Sequence, residues 1–172
     1  MKSSYPKITL HRTGRGAANT SKFAGAYATS VANGFQLAGI EEVEPRMAKV
    51  PENGKLGYSI LIYERRDGRG RQRLSVTRGY TSPAKVAGAP EGSFGQVDIH
   101  GRTATWISGA WEVETPSATP PWENPGARWA KGISRVSWEE DGLISTTLES
   151  RELSVKELID VARGSVPRAT QE

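Results

Sequence analysis

The stretch WEEDGLISTTLESRELSVKELIDVA, residues 138–162, decides the fold. It reads as the end of one strand, a tight acidic turn, a second strand and a capped helix. Val136, Trp138, Ile144, Thr146 and Leu148 alternate with polar residues, the period of a half-buried strand. Asp141-Gly142 supplies the reversal between the two runs. A three-residue loop, Glu140–Gly142, with Gly142 left-handed, would face Trp138 with Ile144 and Val136 with Thr146. That register gathers all five residues on one face. A two-residue Asp-Gly turn would face Trp138 with Ser145 and scatter them, so the three-residue loop is expected.

The helix is written more tightly still. Ser154 is a natural N-cap, and Glu157, three residues on, completes a capping box. Leu153 and Leu158 are spaced to close a hydrophobic staple. Val155, Leu158, Ile159 and Ala162 form one apolar face. Gly164 ends the helix and Val166-Pro167 prevents its resumption. A helix of about ten residues is marginal alone in water, so this one must pack on the sheet.

Working outward, LGYSILIYERR (56–66) is apolar on both faces and reads as a central strand of a covered sheet. Asp67-Gly68-Arg69-Gly70 turns it into RQRLSVTRGY. FGQVDIHG and RTATWISGAWEVE form another hairpin about His100-Gly101. GFQLAGIEEVEPRMAKV suggests two short strands on either side of Pro45. In SKFAGAYATSVANG (21–34), Phe23, Ala26, Tyr27 and Val31 stand near helical spacing before Asn33-Gly34, which predicts a short helix. TPSATPPWENPGARWAKG (115–132) is dense in Pro and Gly and reads as a long loop. Residues 1–20 read as a flexible tail, with KITLH (7–11) able to add an edge strand, and 167–172 as a C-terminal tail. The expectation is a single α+β domain over 21–166. Its twisted antiparallel sheet has about six or seven strands, and the C-terminal helix packs on one face.

Composition agrees. The 172 residues suffice for one domain with its own core. An apolar fraction of 36%, with 19 Gly and 10 Pro, favours a turn-rich β protein over a helical bundle. The chain has no cysteine, which excludes disulfides, a thiolate nucleophile and cysteine-bound metal and leaves the redox compartment open. No run approaches the roughly 20 apolar residues that span a bilayer. MKSSYPKITLHR lacks the apolar segment of a signal peptide, so the chain as given reads as soluble. A net charge of +4, from 23 basic and 19 acidic residues, is a modest excess for a nucleic-acid binder.

The order VSWEEDGLISTTLESRELSVKELIDVA also resembles the ending of a bacterial domain family of unknown function. Members finish with a Trp-containing strand, an acidic-Gly turn, a second strand and a helix beginning Ser-x-x-Glu-Leu. Looser matches are NGFQLAGIEEV, LGYSILIYERRDGRGRQRLSV and IHGRTATWISG, so the resemblance covers residues 33–165, with its specificity in the C-terminal part. The family is found at the extracytoplasmic end of anti-sigma-like membrane proteins. It is distantly similar to LolA-type lipoprotein carriers and to periplasmic sigma-factor regulators of the MucB/RseB type. The resemblance implies a curved antiparallel sheet with helices across its concave side and an extracytoplasmic location. It supplies no catalytic residues. The chain departs from the family in lacking an N-terminal anchor and in its Pro-rich loop, 115–126.

Chemistry-bearing residues are few. His11 and His100 have no zinc-ligand spacing, and Asp98, His100 and Ser108 lack the GxSxG elbow of a hydrolase. The GRG triplets at 14–16 and 68–70 are not phosphate loops, because neither opens a helix. Glu139, Glu140 and Asp141 read as a solvated acidic edge. Arg65, Arg66, Arg69, Arg71, Arg73 and Arg78 crowd one hairpin, with Tyr63 and Tyr80 near them, which suits nucleic acid or an acidic partner. Alternation must send some of these arginines to opposite faces, and exposed hairpins carry charge for solubility. Trp122, between prolines, is costly to expose without a use; it either binds a partner or folds back on Trp129 or Trp111. Trp106, Trp111 and Trp138 suit a core. The function expected is a non-enzymatic regulatory or sensory binding domain with a protein partner and no cofactor. The alternatives are a carrier of an apolar or acyl, lipid-like ligand in the sheet–helix groove, and nucleic-acid or acidic-partner binding through the arginines.

Overall fold

The computed structural model describes residues 7–11, 20–21, 25–26, 30–44, 57–80, 86–114, 118–140 and 144–165. The strands are β1 (Lys7–His11), β2 (Thr20–Ser21), β3 (Gly25–Ala26), β4 (Ser30–Val31), β5 (Phe35–Glu44), β6 (Tyr58–Asp67), β7 (Gly70–Tyr80), β8 (Phe94–Ile99), β9 (Arg102–Val113), β10 (Ala127–Glu139) and β11 (Ile144–Ser150). One α-helix, α1 (Val155–Ser165), follows, and short 3-10 turns lie at Ala32–Gly34 and Pro121–Glu123.

Local turn chemistry makes two meanders, β5–β6–β7 and β8–β9–β10–β11. His100 and Gly101, with φ of 53° and 80°, close the two-residue turn between β8 and β9 in the left-handed conformation that matches strand twist. The β6–β7 turn is closed by the Asp67–Gly70 pair, and Asp67 Oδ1 accepts the Arg69 amide at 2.7 Å. The meanders join through β7 and β11, giving the antiparallel order β1-β5-β6-β7-β11-β10-β9-β8. The sheet is open, with eight strands along this path rather than six or seven. β4 pairs with β5 in addition, and β2 pairs with β3 separately.

Several expectations are corrected. In place of a helix over 21–34, the described residues include Gly25–Ala26 and Ser30–Val31 as short strands. Gly25 and β-branched Thr29 and Val31 weaken the helical pattern. Phe35–Glu44 is one ten-residue strand, and the stretch after Pro45 lies outside the described residues. The loop begun at 115 ends by Ala127, because Trp129 pairs with Trp111 and lengthens the β9–β10 hairpin. In the final hairpin Trp138 faces Thr146 and Val136 faces Leu148, two residues from the expected register. Glu140 N donates to Ile144 O at 2.8 Å, so Glu140 belongs to the ladder rather than to the turn expected over Glu140–Gly142. A two-residue slip preserves the facing pattern, so Trp138, Thr146, Val136 and Leu148 still share one face.

The core lies between that face and α1. Phe35 and Ile40 of β5, Tyr63 of β6, Leu74 of β7, Leu148 of β11 and Val136 and Trp138 of β10 are all buried there. Leu153, Leu158, Val161 and Ala162 cover them. Val161 replaces the expected Val155 and Ile159 on the fully buried stripe of the helix. Burial of Leu158 alone contributes about 1.5–3 kcal/mol.

The capping box forms as read. Ser154 N donates to Glu157 Oε2 at 2.8 Å and Glu157 N to Ser154 Oγ at 3.3 Å. The C-terminal end is pinned to the β8–β9 turn by a 2.6 Å hydrogen bond between His100 Nε2 and Arg163 O. Gly164 remains inside the helix, where a Cβ would collide with Ala32; the helix runs on to Ser165.

Candidate functional site

Register sorts the arginine hairpin into two faces. Glu64 stands opposite Arg73, Arg65 opposite Gln72 and Arg66 opposite Arg71. Gln36 of β5 lies opposite Glu64. Gln36, Glu64, Arg66, Arg71 and Arg73 therefore project from one side, and Arg65 and Gln72 from the side that carries the core.

On the core side Arg65 is a structural residue. Its Nε donates to Gln72 Oε1 at 2.6 Å and its Nη1 to Asn33 O at 2.8 Å. Its guanidinium carbon sits 4.5 Å from the centre of the Phe35 ring. Arg69 leaves the turn to meet Glu157 of α1 at 2.8 Å. Arg73 is tied through its backbone, with its amide on Glu152 and its carbonyl accepting from Ser150 Oγ. Arg78, near the far end of β7, binds both oxygens of Glu140. Arg71 pairs with Glu64. Arg66 is exposed, and no ion pair involves it among the described residues. The six arginines are not one patch.

Arg66 and Arg71 border an open cleft of about 430 Å3, lined also by Gly34, Gln36, Glu64 and Arg65. Sequence reasoning missed Gly34 and Gln36, because only the pairing of β5 with β6 brings them to the arginines, and Glu64, which the β6–β7 register sets on the same face as Arg66 and Arg71.

The tryptophans divide in a similar way. Trp111 and Trp129 are a cross-strand pair in edge-to-face contact, with centroids 5.5 Å apart. Trp129 Nε1 donates to Ser108 O at 3.2 Å. The ring lies so close to Gly109, at φ 114°, that no Cβ would fit there. Trp129 and Trp111 thus brace the long β9–β10 arm. Trp122 is separate. It sits in the Pro121–Glu123 turn against Gly88, yet remains 46% exposed. Phe94 at the start of the edge strand β8 and Val113 at the end of the arm are exposed as well. Trp138 is core, and Trp106 is half-buried beside Gly95.

The remaining candidates perform local tasks. Asp98 Oδ1 accepts the Gly101 amide, His100 binds the helix end, and the Ser108 amide donates to Ser93 O, so these three do not converge. Glu140, expected on a solvated edge, turns inward. Burial opposes its ionisation, but the Arg78 guanidinium and the Thr146 hydroxyl outweigh that and hold its carboxyl below the usual range. Among the described residues no three His, Asp or Glu side chains gather as metal ligands, and no helix is long and apolar enough to cross a membrane. His11's side chain lies outside the described residues.

Compared with protein-family models, with curated proteins and with solved structures, the chain matches none of them.

Proposed function

We propose that this chain is a non-enzymatic binding domain of regulatory or sensory type, engaging a protein partner through the Trp122 turn. The exposed indole of Trp122 carries the reading. Its neighbours Pro120 and Pro121 limit the backbone freedom lost on binding, and aromatic anchors of this kind dominate protein interfaces. Phe94 and Val113 add apolar surface to the same end of the second meander. The extracytoplasmic setting and a partner among membrane-bound regulators rest on the family resemblance.

The acyl-carrier alternative calls for room between sheet and helix. Where α1 lies, that space is occupied by Leu158, Val161 and Ala162 against Phe35, Leu74 and Trp138.

The test compares wild type with Trp122→Ala in pull-downs against soluble fragments of membrane regulators. A parallel Trp-fluorescence titration uses long-chain fatty acids and phospholipids. Partner capture lost in Trp122→Ala, with the fold intact, supports the reading. A saturable blue shift with lipid, or capture indifferent to Trp122→Ala, overturns it.

A further inference from the structure

The cleft beside the β6–β7 hairpin has a charge arrangement that packing does not explain. Arg66 and Arg71 are directly opposed across the ladder, and like charges so placed repel. Glu64 offsets Arg71. Arg73 projects from the same side but does not line the cleft, so there two guanidinium groups, Arg66 and Arg71, meet the one Glu64 carboxylate of the lining. Arg65 backs the cleft from the core side, where Gln72, Asn33 and Phe35 hold it still. The rim at Gly34 is bare: φ is +79° and nothing lies within 4 Å of the place a Cβ would take.

We propose that this cleft is an oxyanion site, taking a carboxylate or phosphate group of a small ligand on Arg66 and Arg71, with the Gln36 amide as a neutral donor. Guanidinium groups suit such groups because their forked donors meet two oxygens at once. A bound oxyanion relieves the opposition of Arg66 and Arg71 that Glu64 offsets only in part. Nucleic acid is the poorer occupant. Single strands bind through stacking on exposed rings, and the nearby rings of Phe35 and Tyr63 are both buried. Tyr80 is exposed but lies at the far end of β7. The site is independent of the Trp122 surface and stands whether or not that surface binds a partner.

The experiment is an amide chemical-shift titration of the full chain at low ionic strength with inorganic phosphate, citrate and a single-stranded oligothymidylate. Phosphate or citrate is expected to give saturable shifts centred on Gly34, Gln36, Arg66 and Arg71. The ligand that saturates at the lower concentration separates a phosphate from a carboxylate preference. Arg66→Ala weakens binding about tenfold, equivalent to about 1.4 kcal/mol, and Arg66→Lys recovers only part because the fork is lost. Glu64→Gln, which removes the competing carboxylate, tightens it. Lys156→Ala, on the exposed side of α1, leaves it unchanged. The proposal is overturned by the absence of saturable shifts with either small anion. Equal affinity in Arg66→Ala and wild type overturns it too, as does binding by the oligonucleotide alone.

Discussion

The Arg69 guanidinium reaches out of the β6–β7 turn to the Glu157 carboxylate in the first turn of α1, 2.8 Å away. Residues 88 positions apart in sequence thereby join the two parts of the molecule that are most legible alone, the central hairpin and the capped helix. Glu157 serves both: one oxygen meets Arg69 and the other accepts from the Ser154 amide and hydroxyl.

That double role makes stability depend on acid pH. The Ser154 amide foremost, and then Arg69, bring the Glu157 carboxyl down to about 2. An unfolded Glu titrates near 4.3. The stabilisation from Glu157 is therefore complete above that value and is lost as pH falls towards about 2. Thermal unfolding between about pH 5 and 2 should show a shallower loss in Glu157→Gln than in wild type. Identical slopes would mean that the cap does not supply this term. Ser154→Ala should cost about 1 kcal/mol at neutral pH.

The Glu140 carboxyl is lowered in the same direction, here against burial. Burial alone would raise the Glu140 carboxyl, and the Arg78 guanidinium keeps it low. Arg78→Met leaves Thr146 as a neutral donor, so the Glu140 pKa should move upward. Side-chain carboxyl NMR read against pH in the variant checks the direction.

Gly109 tests the arm. Its φ of 114° and the approach of the Trp129 indole leave no room for a methyl group. Gly109→Ala should destabilise the protein by about 1–3 kcal/mol and weaken the near-ultraviolet circular dichroism of the Trp111–Trp129 pair. An unchanged spectrum would show that the two rings are not held by this approach.

Two tryptophans should behave oppositely on truncation. Trp138 is 2% exposed, and Trp138→Ala should cost about 3–5 kcal/mol. Trp122→Ala should stay within about 1 kcal/mol, because nearly half of the ring already faces solvent. Denaturant midpoints of the two variants decide this. A large loss in Trp122→Ala would make that ring a structural lid instead of a contact surface.

What could be read in advance was local. The capping box needs only Ser154 and Glu157 at a spacing of three. The turns at Asp67-Gly68 and His100-Gly101 depend on residues that tolerate left-handed or tight backbone. The final register escaped by two residues because Glu140 is drawn into the ladder by Arg78, 62 positions away. Alternation already divided the arginines between two faces; what escaped was that Arg65 meets Phe35 and Arg66 the cleft, because that depends on how β5 pairs with β6. The expected helix over 21–34 failed because apolar spacing there was weak and interrupted by glycine.

The sequence by itself determined the main hairpins, the capped helix and the alternation of faces along each strand, since dihedral preferences and neighbours a few positions apart suffice for these. Only the tertiary structure decided that β7 pairs with β11, and with it the place of α1 across both meanders, what the arginines meet and the isolation of Trp122. Those outcomes follow from pairing strands distant in the chain. Backbone hydrogen bonds serve any register equally, and the choice rests on the sum of side-chain contacts across the whole sheet.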